Sequence, residues 1–247
     1  MLAGLELFLF LRNMALPFFY VENLESNSIV LDEETSKHVI QVLRMNKGDS
    51  ILLTNGKGKK ADGEIVDDNR KRCAVKITSL TEEKVKRHRV SIAISLIKNS
   101  SRFEWFLEKA TEIGVREIIP LVCQRTEKEK FRKERMQTII VSAMLQSQQC
   151  WMPVLHEPVE FPKAIQLGPF QKKFIAHCLA QQKQALPHYS PIITDYSSLI
   201  LIGPEGDFTP DEIQSAIKNN FLPVTLGATR LRTETAGIVA AALLCIQ

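Results

Sequence analysis

The stretch Ser198-Leu199-Ile200-Leu201-Ile202-Gly203-Pro204-Glu205-Gly206-Asp207-Phe208-Thr209-Pro210-Asp211-Glu212 sets how the second half of the chain is read. It begins as an apolar strand. Two glycines then let the backbone turn and come close to a ligand. Thr209 is placed as a helix N-cap, Pro210 suits the first helical position, and Glu212 completes a capping box for a helix over Pro210–Asn219. A strand, a glycine loop and a capped helix form the building unit of an α/β domain, and open sheets of that class bind ligands at the carboxyl ends of their strands. The loop has neither GxGxxG nor GxxxxGK[ST], so neither a Rossmann dinucleotide site nor a P-loop is indicated. On spacing alone it also reads as a plain glycine turn ahead of a well-capped helix.

The same alternation extends outward. Val90–Ile97 is a nearly continuous apolar run, as expected of a strand buried on both faces. Further strands are expected at Glu117–Cys123, Lys173–Leu179 and Pro223–Leu226. Helices are expected at Ser101–Ile113, which stops at Gly114, at Arg132–Gln149, and from Thr235 to the end. This pattern predicts a mostly parallel sheet. The first third differs. Short strand-like runs at Phe18–Val21, Ser28–Leu31, Ser50–Thr54, Gly63–Asp67 and Cys73–Leu80 are separated by turns such as 46–49 and 55–58, with one helix at Ser36–Met45. A small barrel fits them. The charged stretch Thr81–Arg89 marks the boundary, giving domains at 14–83 and 84–247. Residues 1–13 read as an extension ahead of Met14.

Composition excludes several classes. With 247 residues, 45% of them hydrophobic, the chain can bury a large core without disulfides, so it is neither disordered nor a stapled miniprotein. The net charge of +4 is mild, so any nucleic-acid surface must come from local clustering. Clusters exist at Lys57–Lys60, Arg70–Arg72, Lys84–Arg89 and Arg125–Arg135, and each alone also reads as solvated surface. The five cysteines contain no CxxC pair, and the five histidines suggest no metal site. His177 beside Cys178 reads as an ordinary satisfied strand residue. The odd number of thiols and their apolar neighbours fit a reducing, cytoplasmic compartment. The apolar run Ala236–Ile246 is too short to span a membrane. Met1–Leu11 looks like a signal segment, but Glu6 interrupts it and Arg12 lies on the wrong side.

A second loop, Leu226-Gly227-Ala228-Thr229-Arg230-Leu231-Arg232-Thr233-Glu234-Thr235-Ala236-Gly237, again joins a short strand to a helix. Thr233 or Thr235 is expected to cap that helix, with Glu234 favoured near its positive end. Capping leaves two arginines beside a glycine turn unexplained. The helix that follows is almost entirely small and apolar, suited to close packing on several sides or against a partner subunit.

Gly203–Gly206 followed by Leu226-Gly227 and Leu231–Ala236 resembles the SPOUT RNA methyltransferases, and more narrowly the bacterial 16S rRNA (uracil-N3)-methyltransferase family. Lys98, Arg102–Trp105 and Glu108–Val115 match that family's first catalytic-domain helix. His38–Met45 with Lys47–Asp49 matches its N-terminal PUA-like barrel. The resemblance runs in order from Leu16 to the end. It implies a SPOUT-type α/β domain with a C-terminal trefoil knot, preceded by a small PUA-like β-barrel, in a homodimer that uses S-adenosyl-L-methionine and no metal. The implied partner is 16S rRNA or the assembled small ribosomal subunit. The cofactor pocket carries over onto Ile202, Gly203, Glu205, Gly206, Leu226, Gly227 and Leu231, and RNA contacts onto Arg44, Lys98, Arg102 and Arg230. The chain departs from the family at Asp207, where glycine is usual, at Ala228–Arg230, which replaces a Pro-Arg-aliphatic triplet, and at Leu145–Gln149, which replaces Glu-Gln-Ser-x-Arg.

For methylation of uracil N3, the difficulty lies in the nucleophile, because N3 carries a proton at neutral pH. Its loss spreads negative charge onto the flanking carbonyls, which a guanidinium in a water-poor site would stabilise. Arg232 is expected in that role, with Glu234 orienting it or accepting the proton; Glu205 or a water are alternatives for the base. Two other functions stay open: a methyltransferase of the same fold acting on a different RNA atom, and a catalytically inactive rRNA-binding protein.

Overall fold

The computed structural model describes residues 16–84, 89–127, 131–179, 183–189 and 197–246. The extension expected at 1–13, residues 85–88 of one basic cluster, and Lys128 and Lys130 of another lie outside the described residues. The chain divides into two compact units, one ending at Lys84 and the other beginning at Val85.

The first unit is built on five strands: β1 (Phe18–Tyr20), β2 (Ser28–Val30), β3 (Ser50–Thr54), β4 (Lys59–Asp67) and β5 (Ala74–Glu82). They form one sheet in the order β1-β3-β4-β5-β2, antiparallel except for the parallel pair β1 and β3. Alternate residues turn inward, so Ile51, Leu53, Ala61, Ile65 and Val75 make a core with Val39. The helix expected from Ser36 starts earlier. Asp32 accepts the Thr35 N–H and caps α1 (Glu33–Lys37), which runs on into a π-helical turn at His38–Val42. The apolar spacing begins only at Val39, so periodicity misplaced the start and the cap decided it.

The second unit has a single parallel sheet. Its strands are β6 (Arg89–Ser95), β7 (Glu117–Val122), β8 (Val154–Leu155), β9 (Val159–Glu160), β10 (Lys172–Ala176), β11 (Gln184–Ala185), β12 (Ser197–Ile202) and β13 (Leu222–Thr225). The order is β11-β13-β10-β12-β6-β7-β8, with β9 also pairing with β7. Helices cover both faces. On one side α2 (Ser100–Ile113), α3 (Lys133–Gln146) and α6 (Thr233–Cys245) pack Phe103, Phe106, Ile140 and Leu244 against Ile92 and Ile94. On the other, α4 (Phe161–Ala164) and α5 (Pro210–Lys218) pack Phe161 and Ile213 against Ala93, Ile119 and Leu201. Two apolar faces account for the continuous apolar run in β6, since residues of both parities are buried. The short β8, β9, α4 and β11 went unread because two to four residues carry no period.

The small residues of α6 let it lie close to the sheet. A Cβ at Gly237 would stand 2.6 Å from the Phe106 ring and 2.8 Å from Ile94, both buried. Gly237→Ala is therefore expected to lower stability by about 1–3 kcal/mol through overpacking, measured by denaturant unfolding.

Candidate active site

Three loops leave the carboxyl ends of the adjacent strands β13, β10 and β12, and side chains on each tie them together. The Thr233 hydroxyl donates to the Gly203 carbonyl at 3.0 Å in a buried bond, linking the loop after β12 to the start of α6. Arg230 donates to the Glu205 carbonyl at 3.3 Å. Arg125 donates to the Gly206 carbonyl at 2.7 Å. The Cys178 N–H, just past β10, donates to the Asp207 carboxylate at 2.8 Å. The predicted capping box at Thr209 and Glu212 is formed, and Glu212 also accepts the Gln124 N–H at 2.9 Å.

Thr233 does not cap α6, contrary to the sequence expectation. The N-cap is Arg232, which has no side-chain capping bond, and the hydroxyl is used between loops instead. Asp207 likewise acquires a physical account. Its φ is +65°, a left-handed conformation that favours glycine and that aspartate tolerates better than most residues. Its carboxylate accepts the Phe208 N–H as well as that of Cys178. Gly227 has a φ of +148°, again outside the range of ordinary side chains.

The loops border a cleft of about 460 Å³, lined by residues 176–178, 224–231, Lys183 and Ala236. That volume lies in the range of small-molecule sites. Leu226, Gly227, Arg230 and Leu231 line it, as selected from sequence. Ile202 and Gly203 are buried, and Glu205 and Gly206 are exposed on the neighbouring loop; none of the four is part of the cleft wall. The sequence reading missed Ala176, His177, Cys178 and Lys183. His177 lies one residue past β10 rather than within it, and neither ring nitrogen has a hydrogen-bond partner among the described residues. Its pKa is pushed down, first by burial and then by the ammonium of Lys183, while Asp207 opposes the shift. Lys183 is held over this end of the cleft by the carbonyls of His177 (2.6 Å) and Leu179 (2.9 Å).

Glu234 lies in the first turn of α6 with 7% of its side chain exposed. Its Oε1 is 3.7 Å from Nε of Arg102, at the start of α2, and its Oε2 is buried without a hydrogen-bond partner among the described residues. The helix N-terminus favours a negative charge at this position. The structure therefore joins Arg102 to Glu234, and it joins Arg230 to the Glu205 loop. Arg232 is exposed. Lys98 pairs with Glu127 at 2.8 Å. Arg44 lies in the first unit, exposed and at φ +56°. Gln149 donates to the Thr111 and Glu112 carbonyls at the end of α2. Among the described residues no group of three His, Cys, Asp or Glu side chains could hold a metal ion, and no helix is long and apolar enough to cross a membrane.

Removing the Asp207 carboxylate should loosen the first loop. Asp207→Ala loses two hydrogen bonds and keeps a Cβ at positive φ, so it is expected to lower stability by about 1–3 kcal/mol. Asp207→Gly relieves the backbone and should lower it less. Chemical denaturation of the two variants side by side checks the order.

Residues 83–245 match the family described as RNA methyltransferase domain, and residues 31–78 match the RNA methyltransferase PUA domain. The ribosomal RNA small subunit methyltransferase E of Bacillus subtilis is 27% identical over 235 residues, which cover 90% of this chain and 91% of that protein. The crystal structure of a probable rRNA-methyltransferase from Porphyromonas gingivalis is 37% identical with a TM-score of 0.84, covering 92% of this chain and 95% of the other. The ribosomal RNA small subunit methyltransferase E of Neisseria gonorrhoeae, solved bound to S-adenosyl methionine, is 27% identical with a TM-score of 0.79, covering 92% and 96%.

Proposed function

The chain belongs to the RNA methyltransferase family, and from that premise we propose that it methylates N3 of a uridine in the 16S rRNA of the small ribosomal subunit, using S-adenosyl-L-methionine. The observation that carries this reading is the cleft formed at the carboxyl ends of β10 and β13, with Arg230 on its wall and Arg232 and Glu234 immediately after it. Its size, its glycine backbone at Gly227 and its unsatisfied polar lining suit a nucleoside cofactor.

S-adenosyl-L-methionine supplies an activated methyl group, and the protein supplies orientation and electrostatics. Leu226, Gly227 and Leu231 hold the cofactor from the cleft wall, while Ile202, Gly203, Glu205 and Gly206 set the neighbouring loop against it. Arg232 stabilises the negative charge that develops on the uracil carbonyls as N3 loses its proton. Glu234 is the proton acceptor, with Arg102 beside its Oε1 to orient the carboxylate. Uracil N3 is engaged in pairing within a duplex, so the target is unpaired or flipped out. Arg44, Lys98, Arg102 and Arg230 contact the RNA, mainly through phosphate. The trefoil threading and the homodimer belong to the same reading; the buried Thr233 to Gly203 bond supports the first and the apolar α6 the second. The site of action is the cytoplasm, where the rRNA is.

The test is incubation of the purified protein with methyl-labelled S-adenosyl-L-methionine and unmodified small ribosomal subunits, followed by mass spectrometry of the nucleosides. Label is expected as 3-methyluridine at one site, and Arg232→Ala should lower turnover by about 10²–10³ at unchanged cofactor affinity. Label on another nucleoside overturns the specificity. Near-wild-type turnover of Arg232→Ala overturns the role given to that arginine.

A further inference from the structure

His177 lines the cleft with 6% of its surface exposed, yet both of its ring nitrogens lack a hydrogen-bond partner among the described residues. Buried polar groups are ordinarily paired, and an unpaired ring on the wall of a binding cleft takes its partner from what enters once the ring turns toward it. The charged and titratable groups around it are the ammonium of Lys183, the carboxylate of Asp207, the thiol of Cys178 and the guanidinium of Arg230 on the facing loop. Burial and Lys183 together hold the imidazole neutral below its ordinary pKa of 6.5. A neutral imidazole offers one donor and one acceptor.

We propose that His177 hydrogen-bonds the adenosyl moiety of S-adenosyl-L-methionine, and that its protonation closes the cleft to this cationic cofactor. The inference rests on the reading of the cleft as the cofactor site. The adenosyl group is the part that suits a neutral imidazole, because the purine edge and the ribose hydroxyls present donors next to acceptors. A carboxylate finds its complement in Lys183. The sulfonium and ammonium groups are cations, so a charge on His177 works against them. A protonated ring has also lost its acceptor. Cofactor affinity is therefore full above the imidazole's pKa and falls by up to about tenfold for each pH unit below it, as one-proton linkage requires.

The experiment is calorimetric titration of the full chain from about pH 4 to about pH 8, a range carried below the ordinary histidine window because the His177 pKa is lowered. The probes are S-adenosyl-L-methionine and S-adenosylhomocysteine, whose sulfur is neutral. Wild type is expected to bind the sulfonium cofactor with affinity that falls as the pH drops through the lowered imidazole pKa, and the thioether with a smaller fall. At neutral pH His177→Ala should bind both ligands about tenfold or more weakly. His177→Gln keeps a neutral donor and acceptor, so it should retain most of the affinity and lose the pH dependence. The Gln variant and the wild-type pH profile suffice if the Ala variant does not fold. A flat wild-type profile, or wild-type affinity in His177→Ala, overturns the role of His177 and leaves the cofactor reading standing. Failure of wild type to bind either ligand at any pH overturns the cofactor reading, and this inference with it.

Discussion

The buried hydrogen bond from the Thr233 hydroxyl to the Gly203 carbonyl joins two segments thirty residues apart in sequence. It is the buried tie between the loop after β12 and the entry to α6. With it, Glu234 is fixed one residue beyond a buried anchor, and Arg230 and Arg232 flank the junction. The remaining ties act in the same direction. Arg230 and Arg125 grip the carbonyls of Glu205 and Gly206, and Asp207 holds the backbone of Cys178. A parallel sheet buried on both faces supplies the rigid base. The bonds then brace the loop after β12 against the two strand exits that line the cleft, which is the preorganisation that differential binding of a transition state requires.

Elements set by period and punctuation were legible in the sequence. The two-faced apolar run of β6, the Gly114 stop of α2, and Thr209, Pro210 and Glu212 at the head of α5 all read correctly, because each signal is local. Partners chosen across the fold were not legible. Thr233 looked like a cap because Ser and Thr before a helix usually cap it, and nothing local indicates that its hydroxyl reaches Gly203. His177 looked like a satisfied strand residue. Only the end of β10 at Ala176 and the approach of Lys183 reveal it as a buried ring on the cleft wall, without a hydrogen-bond partner among the described residues and with a lowered pKa. Leu226, Gly227 and Leu231 were found through a resemblance in motif, whereas the cleft's far wall lies in a stretch with no motif to match.

Two of the positions that depart from the related family, Asp207 and Gln149, have local hydrogen-bond partners. Asp207 accepts a left-handed backbone and adds two hydrogen bonds that glycine could not make. Gln149 is a neutral donor to two carbonyls at the end of α2. Neither change removes a group from the cleft wall. The charges near the site are also ordered by burial. Glu234 is enclosed with one oxygen facing Arg102, while Arg232 is exposed to whatever approaches from solvent.

On the proposed reading the cofactor occupies the cleft at the exits of β10 and β13, with the loop after β12 braced beside it. Hydrogen–deuterium exchange with and without saturating S-adenosyl-L-methionine tests it most directly. Slowed exchange confined to the segments around residues 176–179, 203–208 and 226–233 is the predicted result. Unchanged exchange there, with protection elsewhere in the chain, would contradict it.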